Sequence, residues 1–297
     1  MKMKKYISLI LAACTMLLTL SCTKDEISSE SIFKDEEQNN TEFDSWLQRN
    51  YVEPYNIRFE YRMPDRETSF NYWVSPPNIK ESIMIAKLIK FTTLEAMVEM
   101  MSSGDETEDP ALFVKSYFPK VLFLVGSFEI SSSGSTALAS AENGLQINIL
   151  GVNFFEYHKD AERIAGTMLH EFPHILDGIH GSPAEFKDIT LSDYVGDRYT
   201  SLTEDPYQKG FVSNYARSHY SEDVAETGGR LISLTEAERE AMIAKAGPVG
   251  GPLIRKKYDM LKKWLKDSYG VDTDRWCEIY HRRIAQLDNL DWESLDK

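Results

Sequence analysis

The sequence has little cysteine, no excess of basic residues and no long apolar run. Its 297 residues include 3 cysteines, of which Cys277 alone lies beyond residue 22, so the main body of the chain cannot form an internal disulfide. Cys277 stands among apolar residues at helical spacing, and we expect it in the core. The formal net charge of -14 argues against nucleic acid as a partner, because a phosphate binder needs a basic face. No segment reaches the roughly 18 uninterrupted apolar residues of a membrane-spanning helix, so we expect no transmembrane span.

Residues 1–22 predict a lipoprotein signal peptide. Lysines precede an apolar run at 7–20, and Ser21 stands directly before Cys22. A small residue before cysteine resembles the bacterial lipobox, in which Cys22 would become the amino terminus and carry lipid. Cys14 is the competing position, but the sequence after it stays apolar instead of turning polar. We therefore assign lipidation to Cys22.

Residues 23–40 predict an acidic, flexible tether, because Ser, Glu, Asp and Asn dominate this stretch. An acidic patch directly after a lipidated cysteine resembles the surface-export signal of Bacteroidetes lipoproteins. This resemblance implies an outer-membrane lipoprotein exposed at the cell surface, with an anchor that faces the periplasm as the alternative. The remaining residues, 41–297, suffice for one domain with a substantial core.

The body of this domain shows strand patterns first and helical patterns later. Alternating or continuous apolar runs predict three short strands, at 56–62, 120–125 and 145–150. Apolar residues at helical spacing predict helices at 82–101, 235–246, 252–269 and 273–287. Serine and glycine predict a loop at 131–135. The lysine pairs at 256–257 and 262–263 are expected to face solvent.

The chemistry centres on residues 170–174, which read HEFPH and match the HExxH pattern. A helix brings residues four apart onto one face, so His170 and His174 can hold one Zn²⁺ while Glu171 reaches a water molecule at the metal. The alternative is a pair of core histidines satisfied by hydrogen bonds. Pro173 removes a backbone donor inside the motif and predicts a kinked or irregular helix. The pattern predicts metal-assisted hydrolysis.

A catalytic zinc takes three protein ligands, so another His, Glu or Asp is required. His180 is one candidate, because His170, His174 and His180 have the HExxHxxxxxH spacing of metzincins. Metzincins turn the chain at a glycine after the second histidine, whereas here Asp177 holds that position and Gly178 follows one residue late. Aspartate can adopt the left-handed conformation, which leaves His180 open, although no convincing Met-turn follows downstream.

Glu222 is the other candidate, in the sequence SEDVAE at 221–226. On a helix Glu222 and Glu226 share one face, so one carboxylate can bind zinc while the other orients a ligating histidine through its second ring nitrogen. Tyr215 stands seven residues before Glu222, and its phenol could donate a hydrogen bond to the oxyanion of a tetrahedral intermediate. The alternative is an ordinary charged helix that faces solvent.

Taken together, these segments resemble a known family. The sequences HEFPHIL at 170–176, FVSNYA at 211–216 and EDVAE at 222–226 are similar to zinc metallohydrolase lipoproteins of Bacteroidetes that accompany outer-membrane nutrient importers. The spacing of Tyr, Glu and Glu in the last two segments also resembles the anthrax lethal-factor group of gluzincins. The sequence departs from the usual pattern at Pro173 and Asp177.

The resemblance implies an α+β, zincin-like metallopeptidase fold over residues 41–297, in which a small mixed sheet packs on the HExxH helix and the carboxy-terminal half is mainly helical. In zincins the strand before the metal helix lines the substrate cleft and can pair with an extended peptide. Residues 145–150 are the candidate for that strand, with an ordinary sheet strand as the alternative. The resemblance also assigns site roles: Zn²⁺ ligands His170, His174 and Glu222; general base Glu171; oxyanion donor Tyr215; support of a ligand by Glu226.

We therefore expect a zinc-dependent hydrolase, most simply a peptidase that acts on a peptide or protein substrate and is associated with outer-membrane nutrient importer components. The rival hypothesis is a non-catalytic, lipid-anchored binding component of an import complex that keeps the zincin scaffold. The intact Glu171 argues against that rival, because a binding protein needs no general base. Hydrolysis of a non-protein amide is a third hypothesis that the sequence leaves open.

Overall fold

A computed structural model describes residues 41–62, 74–104, 108–130, 136–137, 139–142 and 145–295. Thr41–Lys297 belongs to one unit. Three predicted features lie outside the described residues: the signal peptide with Cys22, the tether at 23–40 and the loop at 131–135. No helix in the described part of the chain is long and apolar enough to cross a membrane.

The first half of the chain contributes short helices. They are α1 (Glu42–Leu47), α2 (Glu53–Tyr55), α3 (Ile79–Ile89), α4 (Glu95–Met101) and α5 (Leu112–Tyr117). A π-helical turn at Lys90–Leu94 joins α3 to α4, so the helix predicted at 82–101 is confirmed but locally widened. In this turn the Thr92 hydroxyl donates to the Leu88 carbonyl at 2.8 Å, which competes with the backbone bonds of the helix.

The three predicted strands form, with one more, a small mixed sheet. The strands are β1 (Arg58–Glu60), β2 (Val121–Leu124), β3 (Glu129–Ile130), β4 (Thr136–Ala137), β5 (Ala139–Glu142) and β6 (Gln146–Ile149). The sheet has the order β1-β2-β6-β5, in which β1, β2 and β6 are parallel and β5 is antiparallel to β6. Strands β3 and β4 pair with each other. The prediction of a small mixed sheet is confirmed.

Strand β6 lies inside this sheet and not at its edge. It pairs with β2 on one side, where Leu122 is opposite Ile147, and with β5 on the other, where Ala141 is opposite the same residue. Both hydrogen-bonding sides of β6 are therefore occupied, and the prediction that residues 145–150 pair with a substrate peptide is wrong. The position beside β6 at the edge of the sheet belongs to β5, which also contacts the helix that carries HExxH.

The HExxH motif lies on α6 (Tyr157–His180), which is buried along one face. Ile164, Met168, Phe172 and Leu176 recur every four residues and are at most 2% exposed, so they hold this face against the core. The helix runs without interruption through Pro173. The irregularity that the proline predicts therefore does not break the helix.

The carboxy-terminal half is helical, as predicted. Its helices are α7 (Tyr220–Ser233), α8 (Glu236–Lys245), α9 (Gly247–Tyr269) and α10 (Thr273–Ile284). Helix α9 begins five residues earlier than predicted, because Pro248 occupies its first turn, where a missing N–H costs nothing. It ends at Gly270, whose φ of 71° is left-handed and suits glycine. Cys277 is buried on α10 and its thiol donates to the Leu234 carbonyl, which confirms it as a core residue.

One predicted surface residue is buried. Lys257 is 0% exposed, although the lysine pair to which it belongs was expected to face solvent. Its position on α9 follows Ile254 by three residues and precedes Leu261 by four, so helical geometry places it on the apolar face. There its ammonium group forms an ion pair with Asp223 of α7 at 2.5 Å.

Candidate metal centre

Helices α6 and α7 pack against each other and bring three predicted ligands together. The Nε2 atom of His170 lies 3.4 Å from Oε2 of Glu222, and Nε2 of His174 lies 3.2 Å from the same oxygen. The two imidazole rings are 5.1 Å apart between centroids. Each of the three side chains is about a fifth exposed, so solvent can reach the cluster.

The donor set and its spacing fit zinc. Tetrahedral Zn²⁺ binds imidazole nitrogen and carboxylate oxygen at about 2.0–2.2 Å, so neighbouring ligand atoms stand about 3.3–3.5 Å apart. The two measured separations, 3.4 Å and 3.2 Å, agree with the edge of such a tetrahedron. The three ligand atoms lie within 4.8 Å of one another. Two imidazoles and one carboxylate also leave the fourth position for water or substrate.

Glu226 orients one of the histidines. Its Oε1 accepts from Nδ1 of His170 at 2.9 Å, which leaves Nε2 of the same ring directed at Glu222. Glu226 stands one helical turn after Glu222 on α7, so a single helix supplies both carboxylates. Ser213 also hydrogen bonds to Glu226 and helps to fix its carboxylate. This arrangement sets the tautomer of His170 and raises its basicity.

Glu171 and Tyr215 flank the cluster. Glu171 directly follows His170 on α6 and is buried. The ring of Tyr215 stacks on His170 with centroids 5.8 Å apart, the residue is 40% exposed, and its hydroxyl hydrogen bonds to Glu222. Burial, and then the carboxylate of Glu222, raise the pKa of Tyr215, so the phenol keeps its proton at neutral pH.

The carboxylates and histidines stabilise one another's charge. Burial alone would lower the pKa of His170, but hydrogen bonds to Glu222 and Glu226 raise it to about 10. Burial would raise the pKa of Glu222, but hydrogen bonds from His170 and His174 hold it well below its usual value. The pKa of Glu226 is lowered in the same way, against burial, by His170. The site therefore concentrates negative charge where a cation can bind in place of the proton.

Buried polar contacts hold Tyr215 in place. It begins a single 3-10 turn, Tyr215–Arg217, just before α7. Arg217 is buried and donates to Glu204 at 2.8 Å, while its backbone carbonyl accepts from the amide of Val195 at 2.8 Å. These bonds tie the turn to the chain before it. The ring of Tyr199 lies 5.3 Å from that of Tyr215.

His180 does not join the cluster. Helix α6 continues to His180 without the turn that metzincins make, and ten residues of helix separate His180 from His170 by about 15 Å along the axis. The His180 ring instead packs against Tyr269, at 5.2 Å between centroids. Asp177, the residue at the expected glycine position, accepts from the amide of Ser182 beyond the end of the helix. The alternative third ligand is therefore not brought to the other two.

Sequence reasoning missed the polar group behind Glu222. Asp223 is fully buried and accepts from Lys257 at 2.5 Å and from the hydroxyl of Tyr194 at 2.8 Å. The Lys257 ammonium also lies 3.8 Å from the centroid of the Phe211 ring. Burial raises the pKa of Asp223 and lowers that of Lys257, in each case against the attraction of the partner. The apolar neighbours of Lys257 at helical spacing were the available signal.

Comparison with known proteins identifies the family of this chain. Residues 36–274 match the family described as "putative zinc-binding metallo-peptidase". A crystal structure of a putative zinc-binding metallo-peptidase from Bacteroides caccae ATCC 43185 is similar over 89% of this chain and 100% of that chain, with 30% sequence identity and a TM-score of 0.69. No curated protein matches the chain. Because the family match covers most of the sequence and a relative shares the fold over its whole length, the protein belongs to this zinc-binding metallo-peptidase family.

Proposed function

We propose that the protein is a zinc-dependent peptidase of the gluzincin type, with His170, His174 and Glu222 as metal ligands. The observation that carries this proposal is the pair of nitrogen to oxygen separations, 3.4 Å and 3.2 Å, which match a tetrahedral ion. Glu171 directly follows His170 on α6, the position that the HExxH pattern gives to the general base. When bound, zinc supplies a Lewis acid that lowers the pKa of water and polarises a carbonyl group.

The side chains around the ligands can transfer the protons and stabilise the negative charge that develop during amide hydrolysis. Glu171 accepts a proton from the attacking water and later delivers it to the leaving amine. Tyr215 keeps its proton because its pKa is raised, and it donates a hydrogen bond to the carbonyl oxygen as negative charge develops there. Glu226 holds the ring of His170 so that the ligand atom does not move during the reaction.

An extended peptide is the substrate that the sheet favours. In the described residues β5 is the last strand beside β6, and it contacts the HExxH helix. A strand with one unpaired side can bind a peptide by main-chain hydrogen bonds that do not depend on the peptide sequence. We therefore propose that the substrate peptide pairs with β5 and not with β6.

The cellular setting of the proposal depends on the sequence alone. A lipid on Cys22 and the acidic stretch at 23–40 would anchor the domain at the outer membrane, exposed at the cell surface, near nutrient importer components. Labelling with a lipid precursor tests the anchor, and the Cys22→Ser variant should release the protein in soluble form. Incorporation of label into Cys22→Ser would contradict it.

The rival hypothesis, a non-catalytic binding protein on the same scaffold, would gain support if Pro173 distorted the motif. Pro173 suggested a distorted motif, but α6 is continuous there and both histidines reach Glu222. Hydrolysis of a non-protein amide uses the same groups, and a digest of peptides beside peptidoglycan fragments distinguishes the two substrates.

The Glu171→Gln variant tests the function. We expect it to bind one zinc per chain as the wild type does, and to lose peptide hydrolysis by a factor on the order of 10²–10⁴, because the general base is removed while the ligands remain. Glu162→Gln is the matched control, since Glu162 is exposed on the same helix, and it should keep full activity. A peptide library digest with wild type, both variants and chelated protein gives the result. If wild-type protein holds no stoichiometric zinc, or if Glu171→Gln cleaves as well as Glu162→Gln, the proposal fails.

A further inference from the structure

We propose that Pro173, Gly228 and Gly229 form a close contact between α6 and α7 that sets the distance between the metal ligands, so that they act as positioning residues of the centre. The proposal rests on the zinc function proposed above. It gives a role to the proline inside the HExxH motif and to the two adjacent glycines on the helix that carries Glu222.

The two helices meet at these residues with no room for a side chain on α7. A Cβ atom at Gly228 would lie 2.9 Å from Cγ and 3.2 Å from Cβ of Pro173. A Cβ atom at Gly229 would lie 3.2 Å from the carbonyl oxygen and 3.4 Å from the carbonyl carbon of Leu169. The first neighbour is a rigid ring and the second is backbone, so neither can move aside without moving a helix.

The composition of the contact is unfavourable for helices taken separately. Two adjacent glycines inside α7 lower its helix propensity, and a proline inside α6 removes a backbone bond. The lost bond is the one that the residue at position 173 would donate to the carbonyl of Leu169. Gly229 packs against that same carbonyl. The residues that are unfavourable in each helix therefore contact one another, and the close packing between the helices explains why both sets are present.

The contact lies next to the ligands on both helices. Leu169 directly precedes His170, and Pro173 directly precedes His174, so each histidine ligand has a contact residue as its neighbour. On α7 the glycines follow Glu226 by two and three residues, and Glu226 is bonded to His170. A shift of α7 away from α6 by a few tenths of an ångström would lengthen the separations of 3.4 Å and 3.2 Å that fit the ion. The distance between the two helices at this contact therefore determines the distances between the metal ligands.

Metal binding by a set of alanine variants tests the proposal. The variants are Gly228→Ala, Gly229→Ala, each of these combined with Pro173→Ala, and Gly166→Ala as control. Gly166 lies on α6, but a Cβ atom there would have nothing within 4 Å, so the control adds the same methyl group without a contact. The dissociation constant for Zn²⁺ is measured by competition with a chromophoric chelator. The absorption spectrum of the Co²⁺ form reports coordination geometry, and circular dichroism of the chelated proteins reports folding.

We expect Gly228→Ala and Gly229→Ala to bind Zn²⁺ more weakly by a factor on the order of 10–100, the range seen when groups that orient ligands are disturbed, with altered Co²⁺ spectra. Pro173→Ala removes Cγ, the atom that would lie 2.9 Å from a Cβ at Gly228, and leaves only the Cβ contact at 3.2 Å, so it should restore Gly228→Ala to within about threefold of wild type. It cannot relieve Gly229→Ala, whose Cβ presses on the backbone of Leu169. Gly166→Ala should match wild type in affinity and spectrum.

The possible outcomes separate this proposal from the proposed function. If wild-type protein binds no zinc, the function itself fails. If wild type binds zinc and both glycine variants bind within twofold of it with unchanged Co²⁺ spectra, the positioning role is wrong even if their thermal stability falls. The positioning role is equally wrong if Pro173→Ala rescues both glycine variants or neither. Should the single glycine variants not fold, the Gly228→Ala and Pro173→Ala double variant decides, since its shortest contact, the one at 2.9 Å, is removed: restored binding supports the proposal and weak binding overturns it.

Discussion

The ion pair between Lys257 and Asp223 allows a sharp prediction about stability. Both side chains are 0% exposed, and the nitrogen and oxygen are 2.5 Å apart. If Lys257 is replaced by Met, the apolar stem is preserved but Asp223 keeps a buried charge whose remaining partners are hydroxyl groups of Tyr194 and Thr227. Loss of one partner of a buried pair costs about 3–5 kcal/mol, and the contact of the ammonium with Phe211 is lost as well. We therefore expect the Lys257→Met variant to lose about 3–5 kcal/mol in the free energy of unfolding.

Equilibrium unfolding in urea at neutral pH measures this cost, with both proteins chelated so that metal binding does not contribute. Lys263→Met is the matched control, because Lys263 lies on the same helix and its ion pair with Asp267 is 77% and 59% exposed. Its loss should change the free energy of unfolding by at most about 0.5 kcal/mol. A cost below about 1 kcal/mol for Lys257→Met, or a cost equal to that of the control, would refute the reasoning.

The pH dependence of the same variant provides an independent check. Burial already raises the pKa of Asp223 in the wild type, and the loss of its counter-ion should raise this pKa further above the value of about 3.9 expected in the unfolded chain. A carboxyl group with a raised folded pKa costs nothing below the unfolded pKa, where both states are protonated, and destabilises the fold progressively as pH rises toward the folded pKa. The difference between Lys257→Met and wild type should therefore be smallest near pH 4 and largest near pH 8. A constant difference would mean that lost packing, and not the buried charge, explains the cost.

Three further predictions concern the metal centre. Because His170 has a pKa of about 10 without metal, Zn²⁺ binding at pH 7 should release about one proton. Calorimetry in two buffers of different ionisation enthalpy detects this proton, and equal enthalpies of Zn²⁺ binding in both buffers would contradict the prediction. Because the pKa of His170 is raised on folding, its protonation stabilises the chelated protein fully below about pH 6.5, and this stabilisation is lost as pH rises through about 10. Urea unfolding at a series of pH values measures the free energy of unfolding, and a value that does not change over this range would contradict the prediction. Tyr215→Phe should lower kcat by about 10²–10³ with zinc content unchanged, and a kcat within threefold of wild type in steady-state assays would exclude Tyr215 as an oxyanion donor.

The pattern of apolar residues predicted much of the fold. Strands near Arg58, Val121 and Gln146 and the helices after residue 235 formed where periodicity placed them, because burial of one face depends mainly on local sequence. Two failures show where local reasoning stops. Lys257 was expected at the surface, but it is buried in an ion pair with Asp223, a residue distant in the sequence. The order of the strands, which puts β5 and not β6 at the edge, depends on pairings between distant segments.

The sequence by itself determined the part of the candidate metal centre that lies on one helix. Two histidines four residues apart with a glutamate between them must share one helical face, whatever the rest of the chain does, because a helix has 3.6 residues per turn. The choice between His180 and Glu222 could not be made in that way, since it depends on whether α6 turns or continues and on where α7 crosses it. The continuous helix carries His180 away, and the packing of Gly228 and Gly229 on Pro173 and Leu169 brings α7 close enough for Glu222 to reach both histidines. Tertiary structure decided which candidate lies beside the two histidines, because separations of about 3.3 Å between side chains of different helices depend on how closely those helices pack.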